Sequence, residues 1–248
     1  MMNKADIRIN ENSSSFERKN RANFLALYED CPIPPNERLQ NLGLFLNRQT
    51  LSRFLFMNRL YKKILDIHGV IIEFGVRWGQ NMSLFTSFRG MYEPYNHNRK
   101  IYGFDTFSGF DGLDEKDGNI KSNFSVTEGY ENYLTEVLEY HERESPISHI
   151  KKFDIIKGDA SKTIKSFLED HPEIIVALIY FDFDLYKPTR DCLEAILPYC
   201  ARGTVLAFDE LNCIDFPGET IALREVIPLD KYRIEHDMLN PRCSFIEL

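Results

Sequence analysis

The stretch Ala177-Leu178-Ile179-Tyr180-Phe181-Asp182-Phe183-Asp184-Leu185-Tyr186 reads as an apolar strand that runs directly into two carboxylates. An unbroken apolar run bounded in this way suits a strand covered on both faces, as in a parallel sheet. A second run, Gly203-Thr204-Val205-Leu206-Ala207-Phe208, ends in Asp209-Glu210. Open parallel sheets bind their ligands beyond the carboxyl ends of the strands, so both acid pairs are expected at one functional edge. Four carboxylates crowded together resist ionising at once unless a cation or a bound substrate compensates them. A divalent metal is therefore expected at the cluster.

The pattern extends outward from these two strands. After Asp66, strand and helix signals alternate in the manner of parallel βαβ units. Strands are predicted over 70–74, 100–104, 153–157, 174–181 and 204–208, and helices over 79–89, 131–141, 161–169 and 189–197. The tail, 232–235 with 243–247, is expected to form a hairpin. The fold class is thus α/β, a Rossmann-like doubly wound, mostly parallel sheet with an antiparallel C-terminal edge strand, plus N-terminal helices. Two regions are expected: 1–66 as a helical extension serving as lid or oligomer contact, and 67–248 as the binding and catalytic domain. In the extension, a polar leader around Asn10 to Ser15 reads as disordered, and a helix is predicted over 16–29. Proline breaks the chain at Cys31-Pro32-Ile33-Pro34-Pro35. A longer helical pattern follows, with Leu44, Leu51, Phe54, Leu55, Asn58 and Ile64 on one face.

A chain of 248 residues with 43% hydrophobic content can bury one full α/β core. Its net charge of -8 argues against nucleic acid or anionic membrane as a partner. Arg18-Lys19-Asn20-Arg21 and Lys151-Lys152 read as solvated faces. No apolar run approaches the roughly 20 residues of a membrane helix, and the amino terminus does not resemble a signal peptide, so a soluble, cytoplasmic location is expected. The five cysteines form no C-x-x-C pair and read as reduced thiols. The histidines show no metal-ligand spacing and read as structural, with a histidine acting as base left open.

The first predicted βα turn is Glu73-Phe74-Gly75-Val76-Arg77-Trp78-Gly79-Gln80-Asn81-Met82-Ser83. Glycine at such a turn lets a ligand approach the backbone, although the segment taken alone also reads as an ordinary turn. It lacks the G-x-G-x-x-G spacing of dinucleotide sites, which disfavours a pyrophosphate cofactor. Glu73 would repel a phosphate but could hold the ammonium of an amino-acid-like ligand. The next strand ends in Gly103-Phe104-Asp105-Thr106-Phe107, where Asp105 can accept both hydroxyls of a ribose. The third ends in Lys157-Gly158-Asp159-Ala160, where Asp159 can accept an adenine amino group. Together these acids describe an adenosine without phosphates. Gly75, Val76, Gly79, Ser83, Thr106, Phe107, Gly158, Ala160 and Asp182 complete the expected cofactor-binding set.

With these motifs the chain resembles the class I S-adenosylmethionine-dependent methyltransferases, and among them the macrocin O-methyltransferase group, over roughly 70–226. The resemblance rests on Glu73-Phe74-Gly75-Val76, Tyr102-Gly103-Phe104-Asp105-Thr106-Phe107-Ser108-Gly109, Phe181-Asp182-Phe183-Asp184-Leu185-Tyr186 and Phe208-Asp209-Glu210. It implies a methyl transfer from S-adenosyl-L-methionine to a hydroxyl of a sugar, nucleotide-linked or glycosidic, assisted by Mg2+ or Mn2+. It further implies Asp182, Asp209 and Glu210 as metal ligands and Asp184 as the general base, with Asp182 beside it in the catalytic group. The chain departs from the family pattern with Phe183 in place of a small residue and with Glu210 in place of an aspartate.

A sugar hydroxyl does not yield its proton readily to an isolated aspartate with a pKa near ~4. A cation that stabilises the alkoxide would make the transfer feasible. Tyr186, Trp78 and Phe110 are candidate substrate contacts, and the long connection over 108–130 is expected to act as a lid. Its Asp111-Gly112 and Asp117-Gly118-Asn119 fragments lack the ligand spacing of a calcium loop. The expected partners are a carbohydrate acceptor and further copies of the chain, as a homodimer or larger assembly. Three alternatives remain open from sequence: a metal-dependent hydrolase or hydroxylase on a related fold, an amino-sugar N-methyltransferase, and a noncatalytic binding protein.

Overall fold

The computed structural model describes residues 13–248 except 111, 119 and 121–123. Of the leader expected to be disordered, 10–12 lie outside the described residues, as do Asp111 and Asn119, while Ser14 caps α1 and Ser15 begins it. Seven strands form one sheet: β1 (Val70–Phe74), β2 (Ile101–Asp105), β3 (Phe153–Lys157), β4 (Val176–Phe181), β5 (Cys200–Phe208), β6 (Glu235–His236) and β7 (Ser244–Glu247). Their order is β3-β2-β1-β4-β5-β7-β6. The first five are parallel, and β7 runs antiparallel between β5 and β6. The helices are α1 (Ser15–Glu29), α2 (Pro35–Gln40), α3 (Arg48–Lys63), α4 (Gln80–Tyr92), α5 (Tyr130–Arg143), α6 (Ala160–Asp170), α7 (Tyr186–Ile196) and α8 (Gly218–Val226).

Successive side chains of a strand point to opposite faces, and the central strands are apolar on both. Ile71, Leu178 and Tyr180 meet Phe56, Leu60, Met82, Phe85 and Leu134 in one layer. Ile72, Phe74, Ile179 and Phe181 meet Ile164, Phe167, Leu193 and Leu223 in the other. Each fully buried Leu, Ile or Phe in these layers contributes about 1.5–3 kcal/mol. Sheet position thus follows from hydrophobicity alone. It leaves the carboxyl ends of β1, β2, β4 and β5 to carry polar groups.

The helical period expected before Asp66 is present in α3, and Ile64 just past its end is buried in the core as expected, but most of the inward face is a different one. Leu51 and Leu55 are exposed, while Ser52, Phe56, Met57, Leu60 and Tyr61 are buried. Leu44 lies outside α3 in a short 3-10 turn and is also exposed. Counting apolar residues found the period and missed its phase, because Ser52 packs inward where a leucine was expected to. Helix α1 has no buried residue at all.

Gly75, immediately after β1, has φ 87°, and a Cβ on it would lie 2.0 Å from the carbonyl oxygen of Asp182. The left-handed conformation and the close approach of two strand ends both require glycine. The Gly75→Ala variant is expected to lose about 1–3 kcal/mol of stability and to push Asp182 out of place. Urea unfolding measures the first effect, and a wild-type midpoint would contradict it.

Candidate active site

The backbone ladder carries on past the strands, because Asp182 N donates to Phe74 O at 2.9 Å and Asp209 N to Phe181 O at 3.1 Å. These bonds fix the first acid after β4 and the first after β5 side by side, at the floor of a cleft of about 770 Å³. Asp105, Asp159, Asp182, Asp184, Asp209 and Glu210 all line it. The strand-end acids foreseen from sequence do converge.

The cation among them comes from α3. Arg53 donates to Asp182 Oδ2 at 2.6 Å, to Asp209 Oδ1 at 2.9 Å and to Asn81 Oδ1 at 3.4 Å. Asp209 Oδ1 also accepts from the Tyr180 hydroxyl at 2.6 Å and from Cys243 Sγ at 3.2 Å. Asn81 passes the network on, donating Nδ2 to Glu73 Oε1 at 2.8 Å. Arg53 escaped the sequence reading because a single arginine on a helix face carries no signal of what it faces.

One guanidinium does not neutralise so many acids. Burial, then the charge of Asp209, raise Asp182 from 3.8 to about 7 even against Arg53. Burial, then the charges of Asp182, Glu210 and Asp209, push Asp184 well above 3.8. Burial raises Glu210 too, although Arg242 pairs with it at 3.1 Å. Glu73 is 1% exposed and does not line the cleft. Burial raises it from 4.5 to about 8, and its Oε2 has no partner.

Asp105 Oδ2 accepts from Arg77 N at 2.7 Å and Oδ1 from Phe107 N at 2.6 Å. Burial raises its pKa despite these bonds. Asp159 caps α6, accepting from Ser161 N at 3.0 Å and pairing with Lys162 at 2.9 Å. Burial opposes its ionisation, but Lys162 and Ser161 outweigh that and lower its pKa. The capping and cleft roles coexist, since Asp159 still lines the wall.

Gly75, Val76, Gly79, Thr106, Gly158, Ala160, Trp78 and Phe110 line the cleft as expected. Phe107 is 6% exposed and lies in the core instead. Ser83, one turn into α4, does not reach the cleft. Tyr186 does not reach it either: its ring is buried and its hydroxyl donates to Glu225 Oε2 at 2.6 Å. Tyr186 opens α7, and the helix turns its side chain toward α8 and away from the site. Phe124 was missed; it lines the wall, with Phe110 edge-on at 5.2 Å and Arg77 over its ring at 4.9 Å.

The acids have the right chemistry for a hard divalent cation. Glu210 Oε2 is buried without a partner, and burial raises the pKa of both Asp182 and Glu210, with the charge of Asp209 adding to it. As they stand, however, Asp182 and Asp209 are bonded to Arg53, and among the described residues no three side chains are arranged around an ion. Arg53 and such a cation claim the same oxygens.

The molecule is similar along its whole length to the crystal structure of CalS11, a calicheamicin methyltransferase. Identity is 38%, with 100% of this chain and 98% of that chain covered, at a TM-score of 0.91. The apo structure of CalS11, TDP-rhamnose 3'-O-methyltransferase, an enzyme in calicheamicin biosynthesis, matches at 38% identity with 96% of each chain covered and a TM-score of 0.85. The O-methyltransferase NovP shares the fold at 18% identity, 79% coverage of each chain and a TM-score of 0.59. No family model and no curated protein matches the chain. The fold is that of an S-adenosylmethionine-dependent methyltransferase, and the chain is one. Within that class the chain belongs to the family of CalS11. Among the described residues no helix is long and apolar enough to cross a membrane.

Glu73 keeps its proton in the folded state up to about 8 but loses it near 4.5 when unfolded. Folding therefore takes up a proton between those values, and stability falls as pH rises through that window. Glu73→Gln removes this loss, so its melting temperature should gain on wild type from about pH 5 to about pH 8; a pH-independent difference would contradict the assignment. Removing Arg53 leaves its acid partners uncompensated, so Arg53→Ala should bind Mn2+ more tightly than wild type in an EPR titration. Equal or weaker binding would show that arginine and cation do not compete.

Proposed function

We propose that this methyltransferase transfers the methyl group of S-adenosylmethionine to a hydroxyl of a nucleotide-linked deoxysugar in natural-product biosynthesis, with Asp184 as general base. The observation that carries the reading is the full-length 38% identity to CalS11, a TDP-rhamnose 3'-O-methyltransferase. The cleft supports it, since the acids suited to an adenosine, Asp105 and Asp159, and the acids suited to proton transfer, Asp182 and Asp184, line one cavity.

In the reaction the sugar oxygen attacks the methyl carbon, the new O–C bond forms as the C–S bond breaks, and the electron pair leaves on sulfur. The hydroxyl proton passes to Asp184. A carboxylate with a raised pKa is a better acceptor than an ordinary one, and the crowding around Asp184 raises it. The sulfonium is already activated, so the walls formed by Gly75, Thr106 and Gly158 serve chiefly to align oxygen, carbon and sulfur. Trp78, Phe110 and Phe124 offer apolar surface for a sugar ring or its base. Phe183, its ring tilted against that of Phe74 at 5.3 Å, adds a bulky wall to the same cleft.

A divalent cation, Mg2+ or Mn2+, belongs to the same proposal. Asp182, Asp209 and Glu210 would hold it after Arg53 withdraws, and it would supply positive charge next to the developing alkoxide.

Incubation with S-adenosylmethionine and TDP-rhamnose, followed by mass spectrometry, tests the reading. A sugar nucleotide heavier by one methylene is expected, formed with S-adenosylhomocysteine. Asp184→Asn should lower kcat by ~10²–10⁴ while calorimetry shows cofactor binding intact. No methylated sugar from any nucleotide deoxysugar would refute the acceptor class, and a fully active Asp184→Asn would refute the base.

A further inference from the structure

We propose that Glu219 is the positioning residue of the base: its carboxyl, buried beneath the loop after β4, holds the Asp184 backbone in the conformation that presents Asp184 to the cleft. The inference rests on the role proposed above for Asp184, and Glu219 itself is not among the residues lining the cleft.

Asp184 has φ 60°. A non-glycine residue in the left-handed region is strained by about 1–3 kcal/mol and persists there only when its surroundings hold it. The holding groups are identifiable. Glu219 Oε1 accepts from Phe183 N at 3.0 Å and from Asp184 N at 3.2 Å. It stands in the first turn of α8 and is fully buried. A Cβ on the preceding Gly218 would lie 2.4 Å from Tyr186 N, so the start of α8 is pressed against this loop. Asp117 Oδ1, which also lies against Gly218, accepts from Tyr186 N. With Asp182 N bonded to Phe74 O, the amides of Asp182, Phe183, Asp184 and Tyr186 are held by β1, Glu219 and Asp117.

The chemistry of Glu219 fits an acceptor role rather than a charge-pairing one. No cation pairs with it among the described residues, and its Oε2 has no partner. A carboxyl kept in such company costs stability, which a purely structural packing position would avoid by carrying an apolar side chain. Burial, then the charges of Asp184, Asp182 and Asp209, push its pKa well above 4.5, so a glutamine reproduces its accepting oxygen. The sequence around Pro217-Gly218-Glu219 carries no motif that marks Glu219, because its partners are backbone amides brought to it by the fold.

Two variants test this. Glu219→Gln keeps the acceptor, and Glu219→Met fills the space without one. In Glu219→Met, hydrogen exchange at the Phe183 and Asp184 amides should quicken by ~10-fold or more, as the loss of two hydrogen bonds of about 1 kcal/mol each implies. Its kcat on a sugar nucleotide should fall ~100-fold, the usual cost of misplacing a reacting group by about an ångström, with acceptor KM changed far less and cofactor binding retained. Glu219→Gln should restore slow exchange and most of kcat. Wild-type exchange in Glu219→Met overturns the proposal, as does fast exchange with undiminished kcat. Should Glu219→Met not fold, Glu219→Gln decides alone: a loss as deep as that of Asp184→Asn overturns it. The exchange readout needs no acceptor, so an enzyme that methylates no sugar would refute the proposed function and leave the role of Glu219 separately measurable.

Discussion

Arg53 reaches from α3 between Asp182 and Asp209, and the contact joins the N-terminal helices to the end of the sheet. Without it, two half-buried carboxylates at adjacent strand ends would face each other directly. With it, burial and then the excess negative charge of the neighbouring acids still raise Asp182 and Asp184 above the usual carboxylate range. A methyltransferase benefits from this imbalance. The cofactor brings a positive sulfonium, and the acceptor brings a proton that needs a base.

The arrangement depends on precise backbone placement more than on side-chain reach. Gly75 lets β1 and β4 end almost in contact, and that contact sets Asp182. The carboxyls of Glu219 and Asp117 grip the next residues, and that grip sets Asp184. Asp117 comes from the connection between β2 and α5, so the segment expected as a lid is tied at its centre to the loop that carries the base. Lys116 extends the tie to Glu225 on α8 at 2.8 Å. Motion of this connection and orientation of the base share one set of bonds.

Strand positions were legible because apolar runs ending in acids have one sensible place in a parallel sheet, and β1 and β3 fall where the pattern puts them. The convergence of Asp105, Asp159, Asp182, Asp184, Asp209 and Glu210 followed from the same rule. Side-chain direction was not legible. Tyr186 turned into the helix packing, Phe107 into the core, and the inward stripe of α3 proved to be Phe56, Met57 and Leu60 rather than Leu51 and Leu55. Residues that act through space on these acids, Arg53, Asn81 and Glu219, sit 35 residues or more from Asp184 in sequence, and none forms a motif. Their roles exist only once the sheet has brought the strand ends together.

The central claim is that Asp184, held with a raised affinity for protons, accepts the proton of the sugar hydroxyl. The pH dependence of single-turnover methyl transfer, measured for wild type and for Asp184→Asn, tests it most directly. Wild type should lose rate as pH falls, along a limb well above the ordinary aspartate value of 3.8, because protonation removes the base. That limb should be missing from the residual activity of Asp184→Asn. An unchanged limb in the variant would assign the proton transfer to another group and contradict the account.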